Sequence, residues 1–385
     1  MVDGLKPGQR KILYCCFKRN LRADIKVAQL AGYVSEHSAY HHGEASLQAT
    51  IVGLAQAFVG ANNINLLVPQ GQFGTRLMGG RDAASARYIY TRLDPMARAL
   101  FDERDDVLLA YLSEEGQTIE PRWYVPLIPT VLVNGAEGIG TGWSTFVPNY
   151  NPADLVAGVR ALLDGREPPP LAPWYRGFTG SVEEVASKSA GLSYALTGTV
   201  AQTGPDALDI TELPVRRWTQ DYKEWLEGLL KPGEKGEPPL LADYREHHTD
   251  ASVHFSLQVA PGRMRALLAS PGPEAALKLS TKLSVGNMVL FDPDGRIKRY
   301  ASADAILRDF FGLRLRFYAR RREALIRAAE ADQARLSNRA RFILAVVAGD
   351  LAVSGRSRSA VEAQLDADGF DRIALRRINM IPESK

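Results

Sequence analysis

The segment with the most chemical content reads Gly79-Gly80-Arg81-Asp82-Ala83-Ala84-Ser85-Ala86-Arg87-Tyr88-Ile89-Tyr90-Thr91. Four small residues stand directly before Arg87, and small side chains let a backbone come close to another surface. Arg87 sets a permanent cation beside the Tyr88 phenol. A phenol with a pKa of about 10 is a poor nucleophile at neutral pH. A neighbouring guanidinium favours the phenolate and can offset charge on an attacked phosphate. The pair therefore has the chemistry of a covalent nucleophile toward phosphorus. Taken alone it is a weak signal, since most Arg-Tyr pairs lie on surfaces or strands. A second cluster, Tyr40-His41-His42-Gly43-Glu44, opens a predicted helix, where backbone N–H groups favour anions. It offers phosphate contact or oxyanion stabilisation, with a plain helix-capping histidine as the alternative. No His or Cys partner stands nearby at zinc-ligand spacing.

Other chemistries find no footing. There is no Walker-type phosphate loop, no GxGxxG and no GxSxG. No clustered acidic motif offers an evident Mg²⁺ site.

The elements that must carry these residues follow from the pattern. Pro7 suits a first helical position, because its missing N–H has no partner there. Ile12, Leu13, Cys16 and Phe17 then form an apolar stripe. A second short helix is predicted over residues 25–33, with Val27, Leu30 and Ala31 on one side. A third starts near Glu44, with Leu47, Ile51, Leu54 and Phe58 at i, i+4, i+7 and i+11. A strand-like run at 64–68 and a glycine-rich stretch at 71–80 follow. Three short helices, a strand and a glycine-rich loop outline a winged helix-turn-helix, a DNA-binding plan whose helices also occur in non-binding proteins.

Residues 121–143 read as short strands and tight turns, then a helix at 152–163. Pro168-Pro169-Pro170 marks a connector. From 177 to 288 strands are predicted at 193–200, 207–212, 253–259 and 288–291, with helices at 222–230 and 264–268. This is a mixed α/β region. Asp292-Pro293-Asp294-Gly295 between two apolar runs predicts a hairpin. From Ala303 the chain turns helical. Ile306, Phe310, Leu313 and Phe317 alternate steps of four and three, and a helix of about 35–40 residues suggests a coiled-coil arm. A single exposed helix packing on its own domain is the alternative.

Composition sets the outer bounds. At about 150 residues per domain, 385 residues allow two or three domains. Hydrophobic residues at 45% and charged residues at 24% exclude a disordered or fibrous chain. No run of about 18 apolar residues predicts a membrane span, and residues 1–11 carry no apolar signal core. The two cysteines, Cys15 and Cys16, are adjacent, so no disulfide framework is expected and a reducing compartment is. A net charge of +3 names no partner, but the charge is uneven. Residues 1–26 hold seven Lys and Arg against Asp3 and Asp24, 7 − 2 = +5. Residues 308–341 hold ten arginines against four acids, 10 − 4 = +6. Such blocks are solvated helix faces or polyanion-binding surfaces.

Taken together, these segments resemble the eukaryotic type IIA DNA topoisomerases. The strings are Val2-Asp3-Gly4-Leu5-Lys6-Pro7-Gly8-Gln9-Arg10-Lys11, Lys26-Val27-Ala28-Gln29-Leu30-Ala31-Gly32 and Tyr40-His41-His42-Gly43-Glu44. Then come Gly71-Gln72-Phe73-Gly74-Thr75-Arg76, Gly79-Gly80-Arg81-Asp82 and Arg87-Tyr88-Ile89. Val133-Asn134-Gly135-Ala136-Glu137-Gly138-Ile139-Gly140-Thr141-Gly142-Trp143-Ser144 and Asp243-Tyr244-Arg245-Glu246 complete the set. Order and approximate spacing agree from residue 2 to about 345, most weakly over 180–205. The bacterial gyrase subunit shares the plan, but Tyr-His-His-Gly and the Ile-Tyr-Thr after Tyr88 match the eukaryotic or viral branch.

The resemblance implies an α+β multidomain fold. It would comprise a winged-helix DNA-cleavage domain at 1–120, a mixed α/β tower at 121–295 and a partial coiled-coil arm at 296–385, without a recognisable return helix. It implies ATP-dependent double-strand DNA passage through a transient 5′-phosphotyrosyl link. Tyr88 would be the nucleophile and Arg87 the transition-state stabiliser, with His42 and Arg10 on the scissile phosphate. Lys6, Tyr40, His41, Lys11 and Lys223 would contact DNA, and Ile139 would wedge into a base step. Mg²⁺ and ATP would serve the full-length enzyme, both bound by regions absent from this chain. Double-stranded DNA, a homodimer and a nuclear location are implied as well. The chain is expected to be a truncated part that binds duplex DNA and cleaves it poorly alone. The alternative is a non-catalytic winged-helix fragment or scaffold, against which the retained Arg87-Tyr88 pair speaks. A tyrosine recombinase would need a different Arg/His constellation.

Overall fold

The computed structural model describes residues 1–186, 192–232, 238–269 and 271–377. Helices α1 (Pro7–Lys18), α2 (Val27–His37) and α3 (Glu44–Ala55) pack around one core. Ile12, Leu13 and Cys16 of α1 meet Leu30 and Val34 of α2 and Leu47, Ile51 and Leu54 of α3 there. Each fully buried large apolar side chain contributes roughly 1.5–3 kcal/mol, which outweighs the modest helix propensity of such short segments.

The predicted helix over 25–33 is shifted. Strand β1 (Ile25–Lys26) takes its first two residues and pairs antiparallel with β2 (Tyr90–Thr91), so α2 begins at Val27 and runs on to His37. The strand expected at 64–68 does not form. That run is held by a lone bridge between Leu67 and Leu93 and by the Val68 N–H on the Arg92 carbonyl at 2.9 Å.

Helix α4 (Pro95–Leu100) and the 3-10 turn Glu103–Leu108 precede a hairpin of β3 (Tyr111–Glu114) and β4 (Gln117–Pro121). Within the 121–143 region, read as strands and turns, the chain forms the helical turn α5 (Thr130–Val133). A second hairpin, β5 (Ala136–Gly140) with β6 (Trp143–Val147), follows it. Helix α6 (Pro152–Leu163) falls where the sequence placed it, because the Asn151 side chain accepts from the Ala153 N–H at 2.9 Å and Pro152 opens the first turn.

Strands β7 (Ser181–Val185), β8 (Ser193–Thr197), β9 (Thr199–Gln202) and β10 (Ala207–Glu212) lead to α7 (Thr219–Leu229). Then come β11 (Leu241–Glu246), β12 (Phe255–Val259), α8 (Met264–Leu268), α9 (Pro273–Ala276), β13 (Ser280–Ser284), β14 (Met288–Phe291) and β15 (Ile297–Tyr300). They pair antiparallel as β11-β12-β10-β9, β13-β8-β7 and the hairpin β14-β15. The single strand predicted at 193–200 is split at Gly198. A Cβ there would run into the Glu212 carbonyl oxygen, so the backbones close up and β8 and β9 enter different sheets.

Contacts divide the chain into two compact units, Met1–Leu315 and Arg316–Lys385. The boundary falls inside α10 (Ala303–Ala348), whose 46 residues exceed the length expected from the sequence. In the first unit Ile306, Phe310 and Leu313 of α10 are buried, and Arg314 makes an ion pair with Asp105 at 2.5 Å, both side chains 4% exposed. The second unit has its own small core of Phe342, Leu351, Val361, Leu365 and Leu375, built with α11 (Arg358–Ala367) and α12 (Arg372–Arg377). Among the described residues, no helix is long and apolar enough to cross a membrane.

Two outcomes follow from burial. Removing the counter-charge of a buried guanidinium costs roughly 3–5 kcal/mol. Asp105→Ala is therefore expected to lower the urea midpoint sharply, and an unchanged midpoint contradicts the pair. Burial also pushes the Cys15 thiol up to about 12 and raises Cys16 as well. The folded values lie above the unfolded value of about 8.5, so this stabilising contribution is intact below that pH and is lost as pH rises through the folded values. Both thiols are expected to resist iodoacetamide at about pH 8 in the folded chain and to react on unfolding in urea, counted by intact mass.

Candidate active site

The first turn of any α-helix leaves N–H groups without intrahelical partners. In α2 two of them are taken by the loop that carries Tyr88. The Val27 N–H donates to the Ile89 carbonyl at 3.0 Å, and the Ala28 N–H donates to the Ala86 carbonyl at 3.1 Å. The Ala86 and Ile89 side chains are buried in the helical core. Downstream, Tyr90 exchanges both backbone hydrogen bonds with Gln70, at 2.9 and 3.1 Å. The backbone is thus pinned on either side of Arg87 and Tyr88, and their side chains point outward. Tyr88 is 70% exposed. The Arg87 guanidinium carbon lies 5.5 Å from the Tyr88 ring centroid, within cation–π range. The Tyr88 N–H closes a turn onto the Ser85 carbonyl at 2.9 Å.

The glycine-rich loop before it is a packing device. A Cβ on Gly74, which has φ +91°, would come within 2.5 Å of the Gly80 Cα. A Cβ on Gly79, which has φ +61°, would come within 2.3 Å of the Trp218 ring, leaving no room for a side chain. The Thr75 N–H and Oγ1 both donate to the Asp82 carboxylate, at 2.9 and 2.6 Å. Gln56, at the end of α3, donates to the Phe73 carbonyl at 3.0 Å. Arg76 pairs with buried Glu212 at 2.5 Å, and Glu212 also accepts from the Thr179 N–H and hydroxyl. Thr75 and Asp82 lie in strings that carry the resemblance, whereas Gln56, Glu212 and Trp218 carry no recognisable signal in the sequence. By pattern, the sequence marked this stretch only as a glycine-rich loop.

The remaining sequence-derived residues are spread over this unit, some exposed and some largely buried. The Tyr40 and His42 rings meet edge to face at 5.4 Å, with His42 exposed just before the start of α3. His41 lies 3.0 Å from the Glu114 carboxylate. Lys6 is exposed at the start of α1. Arg10 is held by Asp3 through Nε at 2.7 Å and Nη2 at 3.0 Å. Burial works against that charge, but the hydrogen bond and charge of Asp3 leave the Arg10 pKa raised. Lys11 donates to the Ser38 carbonyl at 2.5 Å and to Glu120 at 3.0 Å. Lys223 pairs with Glu246 at 2.7 Å, and that hydrogen bond raises its pKa. Ile139, 92% exposed, stands opposite Ser144 near the tip of the β5–β6 hairpin. The structure therefore joins Arg87 with Tyr88 and Tyr40 with His42. Among the described residues, no hydrogen bond, ion pair or ring contact links Tyr88 to His42 or Arg10.

A cavity of about 660 Å³ does count Lys6, Arg10, Glu137, Gly138 and Arg216 among its lining residues. Among the described residues, no group of three or more His, Cys, Asp or Glu could hold a metal ion.

A mixed α/β chain with a long C-terminal helix matches a type II topoisomerase cleavage core. The family model for the A-type subunit of DNA gyrase/topoisomerase IV matches residues 1–385, and the chain belongs to that family. It is 51% identical over 370 residues to DNA topoisomerase 2 of Arabidopsis thaliana, covering 96% of this chain and 25% of that protein. It is 50% identical over 372 residues to DNA topoisomerase 2-alpha of Homo sapiens, covering 96% of this chain and 24% of that protein. The chain thus spans about a quarter of the length of the curated relatives it matches. A solved structure titled as the Plasmodium falciparum topoisomerase II DNA-binding, cleavage and re-ligation domain superposes with a TM-score of 0.89 at 46% identity. That match covers 96% of this chain and 50% of the solved one. The resemblance to eukaryotic DNA topoisomerase II is borne out.

The loop packing makes a direct prediction. Gly79→Ala adds a methyl group against Trp218 in a left-handed conformation, at an expected cost of roughly 1–3 kcal/mol. A lowered melting temperature and new proteolytic cuts near residues 76–82 are expected. An unchanged melt and digest contradict the packing of this loop on Trp218.

Proposed function

We propose that this chain is the DNA breakage-and-reunion core of a type II DNA topoisomerase. In this reading it binds double-stranded DNA and Tyr88 forms a transient 5′-phosphotyrosyl link. The observation that carries this is the exposed Tyr88 beside Arg87 on a backbone pinned at both ends. The Tyr88 Oη attacks phosphorus and loses its proton, the P–O3′ bond breaks, and the departing O3′ takes up a proton. One phosphodiester replaces another, so the 3′-hydroxyl can reverse the step without an energy source. What the protein must supply is positioning and charge. Arg87 offsets charge on the phosphate, and His42 and Arg10 contact it. Lys6, Tyr40, His41, Lys11 and Lys223 hold the DNA backbone. For Arg10, Lys11 and Lys223, that requires exchanging a carboxylate for a phosphate. Ile139 enters a base step and bends the duplex, trading unstacking for contact.

The three helices with β1–β2 and the 71–80 loop support a winged-helix domain at 1–120. The tower at 121–295 and a coiled-coil arm at 296–385 complete the proposed modules, with residues 378–385 outside the described residues. Strand passage driven by ATP, a homodimer and a nuclear location belong to the proposed whole enzyme. Mg²⁺ would act there as a Lewis acid. The described residues do not gather a donor set for it.

The test is a plasmid cleavage assay with Mg²⁺ and a denaturing quench. The chain alone is expected to bind duplex DNA and leave few breaks. Joined to an acidic metal-binding region of the family, it is expected to leave protein-linked breaks. Tyr88→Phe should abolish those breaks while keeping DNA affinity within about threefold, a difference of under 1 kcal/mol. Adducts that survive Tyr88→Phe reject Tyr88, and a joined protein that binds but never cleaves supports the scaffold reading instead.

A further inference from the structure

We infer that Arg216 is the positioning residue that aims the β5–β6 hairpin, and with it Ile139, at the duplex. The inference rests on the wedge role proposed for Ile139. Strands β5 and β6 form a sheet of two strands only. A two-stranded hairpin is marginal by itself, and a wedge that pushes into a base stack needs a stiff base. Arg216 supplies a brace across both strands. Its Nη1 lies 2.6 Å from the Glu137 carboxylate on β5, and its guanidinium carbon lies 5.7 Å from the Phe146 ring centroid on β6. Glu137 and Phe146 face each other in the ladder, so one guanidinium holds a cross-strand pair. Ile139 follows Glu137 by two residues and so shares its face of the hairpin.

The backbone of Arg216 shows what holding that place costs. Its φ of +67° lies in the left-handed region, where glycine would sit without strain. Strain at a non-glycine residue persists only where the surroundings fix it, and it clusters at working sites. Here Leu213 and Val215 are buried on one side, the Arg217 N–H donates to the Pro214 carbonyl at 2.9 Å, and Trp218 meets the Phe58 ring at 5.8 Å. The ion pair itself is half-exposed, so it adds little to global stability. Its work is orientation.

The same footing carries the nucleophile's loop. The Gln220 N–H donates to the Leu77 carbonyl at 3.0 Å, and Trp218 lies under Gly79. Residues 214–220 therefore hold the hairpin through Arg216 and the Tyr88-bearing loop through Trp218 and Gln220. Asn287 steadies β6 independently, donating to the Ser144 hydroxyl at 2.8 Å and accepting from the Phe146 N–H at 2.9 Å. The hairpin is thus expected to stay folded when Arg216 is replaced, and to lose its aim.

The test reads DNA bending by energy transfer between dyes at the two ends of a short duplex, at protein concentrations that saturate it. Arg216→Gly relieves the backbone strain, so this variant should melt no lower than the parent yet lose most of the transfer change. Arg216→Lys should recover part of it. The swap Arg216→Glu with Glu137→Arg should recover most of it, and loss of bending at an unchanged melt is what a purely structural role would not produce. An Arg216→Gly chain that bends DNA like the parent overturns the inference, as does a swap that recovers nothing. An Ile139→Ala chain that bends DNA like the parent is a separate failure. It overturns the wedge, and the positioning role falls with it.

Discussion

Two hydrogen bonds at the start of α2 organise this molecule. The Val27 and Ala28 N–H groups cannot bond within their own helix, and they take the Ile89 and Ala86 carbonyls instead. A helix end that needs acceptors and a loop that needs fixing satisfy each other. The strand pair of Ile25–Lys26 with Tyr90–Thr91 continues the same attachment. A buried Ala86 and Ile89 then leave the two residues between them no direction but outward. Exposure of a tyrosine is common. Exposure of a tyrosine whose backbone is tied on both sides is the preorganisation that a nucleophile needs.

The basic N-terminal block has a double character. Its seven cations read as a polyanion surface, yet Arg10 and Lys11 are engaged inside the fold. Asp3 accepts from Arg10, from the Leu5 N–H and from the Tyr124 N–H, while Lys11 ties α1 to Glu120 and to the end of α2. These pairs staple the segment before α1 and strand β4 onto the helical core. Lys6 and His42 stay exposed. In the proposed reading, a phosphate arriving there would meet the Lys6 cation at the surface and compete with carboxylates one layer deeper.

Elements with strong local signals were legible in the sequence. Helix α6 has its cap and its proline, and the turn at Asp292-Pro293-Asp294-Gly295 joins the β14–β15 hairpin. What the sequence hid depends on partners far along the chain. A two-residue strand such as β1 has no periodicity to read, and it exists because residues 90–91 come to it. The break at Gly198 is caused by Glu212, and the footing at residues 214–220 is defined by the loops it holds. Tyr88, the proposed nucleophile, stood out because resemblance converted a weak dipeptide into an ordered set of strings. Arg216 was not, since a left-handed arginine is visible only in the backbone.

The most direct measurement is peptide mass spectrometry of the covalent DNA complex after protease and nuclease digestion. Tyr88 is expected to carry a nucleotide through its 5′-phosphate, with Tyr90, two residues away and facing Gln70, unmodified. A nucleotide on Tyr90, or on no tyrosine of this segment, would contradict the assignment of Tyr88 as the nucleophile.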